Sequence, residues 1–185
     1  NGSVSKRWGS YSCTYNGMGC DTTVGFTGGA ISCGTSGTLV DWCALCFAKG
    51  TKITLASGKQ KRIELLKEDD RILSFDPNSL EIKNSKINKI IQNTTKTYYL
   101  LQTKSGKQVK VTGEHPFLTN NQQFKKAADL KTEDTIYLVK DGSMLPDKIS
   151  KKQQLEEIVE IYNLSVTWPN TFFANGIAVH NKGCE

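Results

Sequence analysis

The chain has 185 residues, of which 37% are aliphatic, aromatic or cysteine, enough for one or two small domains with a real core. No run is long and apolar enough to span a bilayer. The first residues, "NGSVSKRWGSYSC", lack the apolar stretch of a secretion signal, so the chain reads as an internal piece of a longer protein with no membrane partner. The net charge of +6 arises between residues 46 and 181, scattered over "KQKR", "KINK", "FKK" and "SKK" without interleaved aromatics, which is a pattern of solvated lysines rather than a nucleic-acid interface.

Residues 1–45 are small, polar and Gly-rich, and they carry Cys13, Cys20, Cys33 and Cys43; Cys184 lies in the other flank, 182–185. This density marks a piece of a disulfide-rich protein from an oxidising compartment, a secreted or cell-surface host, and the odd number places one partner outside the chain. Neither flank contains a histidine, so zinc-finger spacing is absent. From Cys46 onward the texture changes. "TKITLAS", "KRIELL", "RILSFD", "EIKNSKINKIIQN", "TYYLLQT", "KQVKVT", "HPFLTN", "DTIYLV", "EIVEIYNLSV" and "TFFANGIAVHN" alternate or cluster β-branched and aromatic residues. Turn signals separate them: "SGK" twice, "DPN" and "ANG". The polar stretch 141–155, "DGSMLPDKISKKQQL", predicts a loop with a short helix. The result is an all-β domain over 46–181 with one long connection. Inside it, "LKEDDRI" at 66–72 matches "LKTEDTI" at 130–136, 64 positions on, which predicts a duplicated β-unit with pseudo-two-fold symmetry.

Cys46 is the only thiol of this domain and its first residue. "TGEH" at 112–115 supplies Thr112 and His115. "HN" at 180–181 supplies His180 and Asn181 as its last residues, ahead of Lys182. A lone buried cysteine is usually a small hydrophobe, and a lone TxxH is common; the joint placement at first, middle and last positions is what carries meaning. Trp168, Phe172 and Phe173 read as core or rim.

"CFAKGTKITLASGKQKRIELLKEDDRILSFD" resembles the opening block of the Hint (hedgehog/intein) superfamily. "VTGEHPFLT" resembles its TxxH block, and "IYNLSVTWPNTFFANGIAVHN" resembles its closing blocks. The resemblance covers 46–181 and is nearest the bacterial-intein-like branch. It implies a horseshoe of short strands, a catalytic set of Cys46, Thr112, His115, His180 and Asn181, no cofactor and no metal. It also implies a monomer that acts once, on its own flanking sequences.

The chemistry can be argued from the residues. The Cys46 thiol can attack the Leu45 carbonyl through a five-membered ring, turning the Leu45–Cys46 amide into a thioester. The amide is the more stable linkage, so donors at the developing oxyanion and an acid for the departing amine are required. His115 is assigned to the leaving nitrogen and Thr112 to positioning and polarising the peptide, with Gly113 permitting the bend that would bring both to one amide and Pro116 holding His115 extended. At the other end, the Asn181 carboxamide nitrogen can attack its own carbonyl, forming a succinimide and breaking Asn181–Lys182, with His180 assisting. Unassisted, Asn175–Gly176 is the more labile pair. A fold that favours Asn181 must hold it in attack geometry, where orientation alone can supply ~7–11 kcal/mol.

Several residues depart from the family's usual pattern. A conventional intein has Cys, Ser or Thr after its terminal Asn; here Lys182 follows, and Cys184 is a distant stand-in. Members often carry Asp where Asn163 stands and His where Asn170 stands, so slower proton handling is expected. Three outcomes are open: hydrolytic release of the upstream flank, release of the downstream flank by Asn181 cyclisation, or ligation through the freed amine of Lys182. Cys43 and Cys46 form C-A-L-C across the first scissile bond, and a disulfide there would act as a redox latch. A zinc ion on Cys46 and His115 would have only two ligands, a poor structural site. Two alternatives are an inactive Hint β-module in a surface protein and a hedgehog-like acyl transferase. The terminal "HN", followed only by "KGCE", disfavours the transferase.

Overall fold

The structure, a computed structural model, describes residues 45–181 together with 25–27 and 30–32. The chain divides into two units, Asn1–Cys43 and Ala44–Glu185. In the first unit, strands β1 (Gly25–Thr27) and β2 (Ala30–Ser32) pair antiparallel. Cys13, Cys20, Cys33 and Cys43, and Lys182 and Cys184 at the far end, lie outside the described residues, and with them the Cys43 half of the proposed latch.

The second unit is all-β, with no long helix among the described residues. Its strands are β3 (Phe47–Ala48), β4 (Lys52–Thr54), β5 (Gln60–Arg62), β6 (Arg71–Phe75), β7 (Ile82–Thr103), β8 (Gln108–Val111), β9 (Pro116–Leu118), β10 (Phe124–Lys126), β11 (Thr135–Lys140), β12 (Ser143–Val166), β13 (Thr171–Ala174) and β14 (Ile177–His180). All join one antiparallel sheet that runs β5-β4-β13-β14-β11-β12-β3-β8-β7-β6, with the β9–β10 hairpin attached to β14 and a further β12–β7 pairing. The sheet curls around a core that includes Phe47, Ile53, Ile72, Leu101, Phe117, Leu164 and Phe172. Both "SGK" stretches are hairpin turns with glycine in the left-handed region, Gly58 at φ +82 and Gly106 at φ +88. Asn175 and Gly176 (φ +50 and +81) form the tight turn between β13 and β14.

The loop and helix predicted over 141–155 are not found. Asp141 and Gly142, both with positive φ, make a tight turn, and β12 starts at Ser143. The segment misleads because β12 and β7 form a long two-stranded ribbon whose middle is wet on both faces. No apolar alternation marks it, and the ladder from Ile149↔Thr103 to Val166↔Ile87 holds it instead.

The repeat is longer than the sequence match. Lys67 N–H donates to Asp70 Oδ2 at 2.9 Å and Lys131 N–H to Asp134 Oδ2 at 2.8 Å. Lys61 Nζ meets Asp70 at 2.9 Å, and Lys125 Nζ meets Asp134 at 2.7 Å. Asp69 and Glu133 share φ values of 69° and 70°. Bridges Leu55↔Ile72 and Thr119↔Ile136 also correspond. Every pair keeps the spacing of 64 (67 to 131, 70 to 134, 55 to 119). Phe47 and Val111, again 64 apart (47 to 111), pair directly with each other and so lie on the pseudo-two-fold axis. The turn 48–51 is thereby the counterpart of the turn 112–115.

Candidate functional site

Cys46 lies in extended chain ahead of β3 and is fully buried. Thr112, at the end of β8, grips it by the main chain. The Thr112 N–H donates to the Cys46 carbonyl at 2.9 Å. The Cys46 N–H donates to Thr112 Oγ1 at 2.8 Å, and that hydroxyl donates to the Cys46 carbonyl at 3.2 Å. The Cys46 nitrogen is the nitrogen of the Leu45–Cys46 bond. Thr112 therefore contacts the nitrogen side of that amide.

From Thr112 the chain turns through residues 113 and 114, closed by the His115 N–H donating to the Thr112 carbonyl at 3.3 Å. This brings the His115 ring to the Leu45 carbonyl. The ring stacks at 4.1 Å from Phe47 and meets Phe117 and Phe172 at 6.1 and 6.3 Å. His115 is fully buried, and neither ring nitrogen has a protein partner of good hydrogen-bond geometry among the described residues. Burial in this phenylalanine box pushes its pKa down to about 3; the Leu45 carbonyl, close to the ring, pulls weakly the other way, and His180 adds like-charge repulsion. His115 is thus a neutral imidazole at pH 7, held near the Leu45 carbonyl.

This burial has a consequence for stability. The native histidine stays neutral until about pH 3, whereas an unfolded histidine takes up its proton near 6.5. The unfolded chain binds more protons in that window, so stability is complete above pH 6.5 and is lost as pH falls toward 3. Stability should fall by up to about 1.4 kcal/mol per pH unit, the urea midpoint falling in step, and His115→Ala should flatten the decline between pH 6 and 5. The ion-paired Asp70 and Asp134, whose carboxyls are held below the usual range, give way at lower pH.

The opposite end of the domain arrives at the same place. β14 pairs with β9 at Val179↔Phe117, so the residue before His180 lies beside the second residue after His115. His180, paired with Thr171, packs edge-on against Phe124 at 4.8 Å. Asn181 is 1% exposed, and its N–H donates to the Asn170 carbonyl at 2.6 Å. Its side-chain Oδ1 and Nδ2 are both buried without a hydrogen-bond partner among the described residues. Such a carboxamide is costly to keep and uncommitted. Asn175 is the reverse case. Its Oδ1 accepts from the Lys52 N–H at 2.7 Å, its Nδ2 donates to the Gln108 carbonyl at 2.7 Å, and its own N–H donates to the Lys52 carbonyl at 2.7 Å. The pair with the least steric hindrance is therefore tied down, and the hindered one is left with its side chain uncommitted.

The fold thus gathers Cys46, Thr112, His115, His180 and Asn181 around one end of the sheet. Sequence reasoning missed the aromatic box, the tethering of Asn175 and the place of Asn163. That residue, 1% exposed, accepts the Leu164 N–H on Oδ1 at 2.8 Å. It follows Tyr162, which pairs with Phe47, so the antiparallel register sets it opposite Cys46. The register of a closing strand against the first residue has no signature in one sequence.

Comparison with known proteins agrees with this architecture. The family model described as the intein splicing domain matches residues 53–161. The DnaB intein from Synechocystis sp. PCC 6803 superposes with a TM-score of 0.69 at 27% identity, over 75% of this chain and 99% of that one. The bacterial intein-like domain from Clostridium thermocellum gives 0.66 at 25% identity, over 74% of this chain and 98% of that one. A curated relative, DNA-directed RNA polymerase III subunit rpc2 of Dictyostelium discoideum, is 31% identical over 104 residues. The match spans 54% of this chain but only 6% of that polypeptide, so the polymerase's own work is not carried over. By fold and by the matching family model, this chain belongs to the intein splicing domain family.

Proposed function

We propose that this self-processing domain breaks both of its boundary peptides, and that cleavage is favoured over ligation. Upstream, neutral His115 accepts the proton of the Cys46 thiol. The sulfur attacks the Leu45 carbonyl carbon; the new C–S bond forms as the C–N bond breaks, and the imidazolium returns the proton to the Cys46 nitrogen. An imidazolium in so apolar a box is a strong acid, which suits that return. Thr112 holds the same nitrogen in place. Water then hydrolyses the thioester, leaving a Leu45 carboxylate and a restored thiol. Downstream, Asn181 Nδ2 attacks the Asn181 carbonyl carbon, the bond to the Lys182 nitrogen breaks, and a proton delivered through His180 leaves with the amine. With lysine in place of a nucleophile at 182, ligation requires the freed Lys182 amine to reach the thioester before water does. Neutral Asn163 and Asn170 leave proton handling to the two histidines, which makes the domain slow.

The observation that carries this reading is the Thr112 hydroxyl on the Cys46 nitrogen, three residues from a buried neutral imidazole beside the Leu45 carbonyl. Intact-mass time courses of the precursor test it. Cys46→Ala should remove the upstream products alone and Asn181→Ala the downstream products alone. Upstream release persisting in Cys46→Ala would refute the assignment. The cysteine-rich flanks fit a secreted or cell-surface host.

A further inference from the structure

The turn that carries Thr112 and His115 has a support of its own. The N–H groups of Ala127 and Ala128 donate to the carbonyls of His115 (2.9 Å) and Gly113 (2.8 Å), so the 3-10 turn Ala127–Asp129 forms the outer wall of the turn 112–115. A single cation holds the carbonyls of that wall. Lys152 Nζ, from β12, donates to the Ala128 carbonyl and, at 2.9 Å, to the Leu130 carbonyl. It also sits 4.7 Å from the centre of the Tyr99 ring. Tyr99, on β7, touches the same turn: a Cβ on Gly113 would lie 3.1 Å from its ring and 3.3 Å from Ala128 Cβ. Gly113 thus serves close approach.

The pseudo-symmetry supplies a control. The counterpart wall in the first half, the 3-10 turn Ile63–Leu65, donates to Thr51 (Ile63 N–H to the Thr51 carbonyl, 2.8 Å) as Ala127 does to His115. Among the described residues no side chain donates to the carbonyls of Glu64 or Leu66, the positions matching Ala128 and Leu130. The fold forms this wall without a lysine. Among the described residues a lysine holds this wall only in the half whose turn bears the imidazole.

We propose that Lys152 is a positioning residue for the upstream reaction, fixing the Ala127–Asp129 wall so that His115 stays beside the Leu45 carbonyl. The inference rests on the assignment of Thr112 and His115 to that bond. It is tested with the two scissions measured apart: upstream release in an Asn181→Ala precursor, downstream release in a Cys46→Ala precursor. Lys152→Met should slow the upstream rate about tenfold, the scale set by sub-ångström misplacement of a catalytic group, and leave the downstream rate within about twofold. Lys152→Arg, which can still donate to two carbonyls and stack on a ring, should restore most of the upstream rate. Equal slowing of both bonds, or none, overturns the proposal. Should Lys152→Met not accumulate in soluble form, Lys152→Gln is read by the same two rates. His115→Ala, run in parallel, separates the two failures. If it leaves upstream release intact, the underlying assignment falls; if it blocks release while Lys152→Met does not, only the role of Lys152 falls.

Discussion

Replacing His115 with alanine is expected to slow upstream release by about 10²- to 10⁴-fold, the range that positioned acid–base groups contribute. The fully buried ring beside Leu45 has no hydrogen-bond partner among the described residues, so the loss should fall on chemistry at that bond. The variant leaves a void among Phe47, Phe117 and Phe172, and stability should drop as well. The two effects separate by temperature: at about 10–15 °C below the variant's own melting point the fold is intact and the rate defect remains. A rate within about threefold of the parent would move the proton transfer to another group, His180 being the one beside it. Because His115 is neutral down to about pH 3, the upstream rate should show no inflection from this histidine between pH 5 and 8.

The second large effect is expected from Lys182→Cys. Under the proposed mechanism, the acceptors for the parent chain's thioester are water, the late-arriving amine of Lys182 and the distant Cys184. A thiol at position 182 would accept the Leu45 acyl group directly from Cys46 Sγ, one C–S bond forming as the other breaks. Asn181 cyclisation would then free the α-amine of the introduced cysteine for the final shift to an amide. Both ends lie at one side of the sheet, through Val179↔Phe117 and the Cys46–Thr112 bonds. The effective concentration of such a thiol is high, and the ligated flank should rise about tenfold or more relative to separate flanks. Mass spectrometry of the peptide joining residues 45 and 182 reads this directly. An unchanged ratio would show that the two boundaries do not meet during the reaction.

Much of this was legible in the sequence, for identifiable reasons. Strands with one buried face announced themselves by alternation, and both "SGK" turns and the "ANG" turn followed from glycine's reach into positive φ. The residues of the reactive set stood out because a lone thiol, a TxxH and a terminal His-Asn occupied first, middle and last positions. The first part of the ribbon strand β12, residues 143–155, stayed hidden because a strand wet on both faces has no hydrophobic period. The full repeat stayed hidden for a different reason. "AKGT" and "TGEH" share a turn geometry, not side chains, and only the hydrogen bonds Thr51 N–H to Ala48 O and His115 N–H to Thr112 O reveal the kinship. The restraint on Asn175 was equally unreadable, since its partners Lys52 and Gln108 are distant in the chain.

The claim beneath all of this is that a linear ester of sulfur forms at residue 46 inside the folded domain. Hydroxylamine added to the native Asn181→Ala precursor measures it. A fragment ending in a Leu45 hydroxamate, lost in urea and lost in Cys46→Ala, is the expected product. A native precursor that stays whole under hydroxylamine would contradict the account.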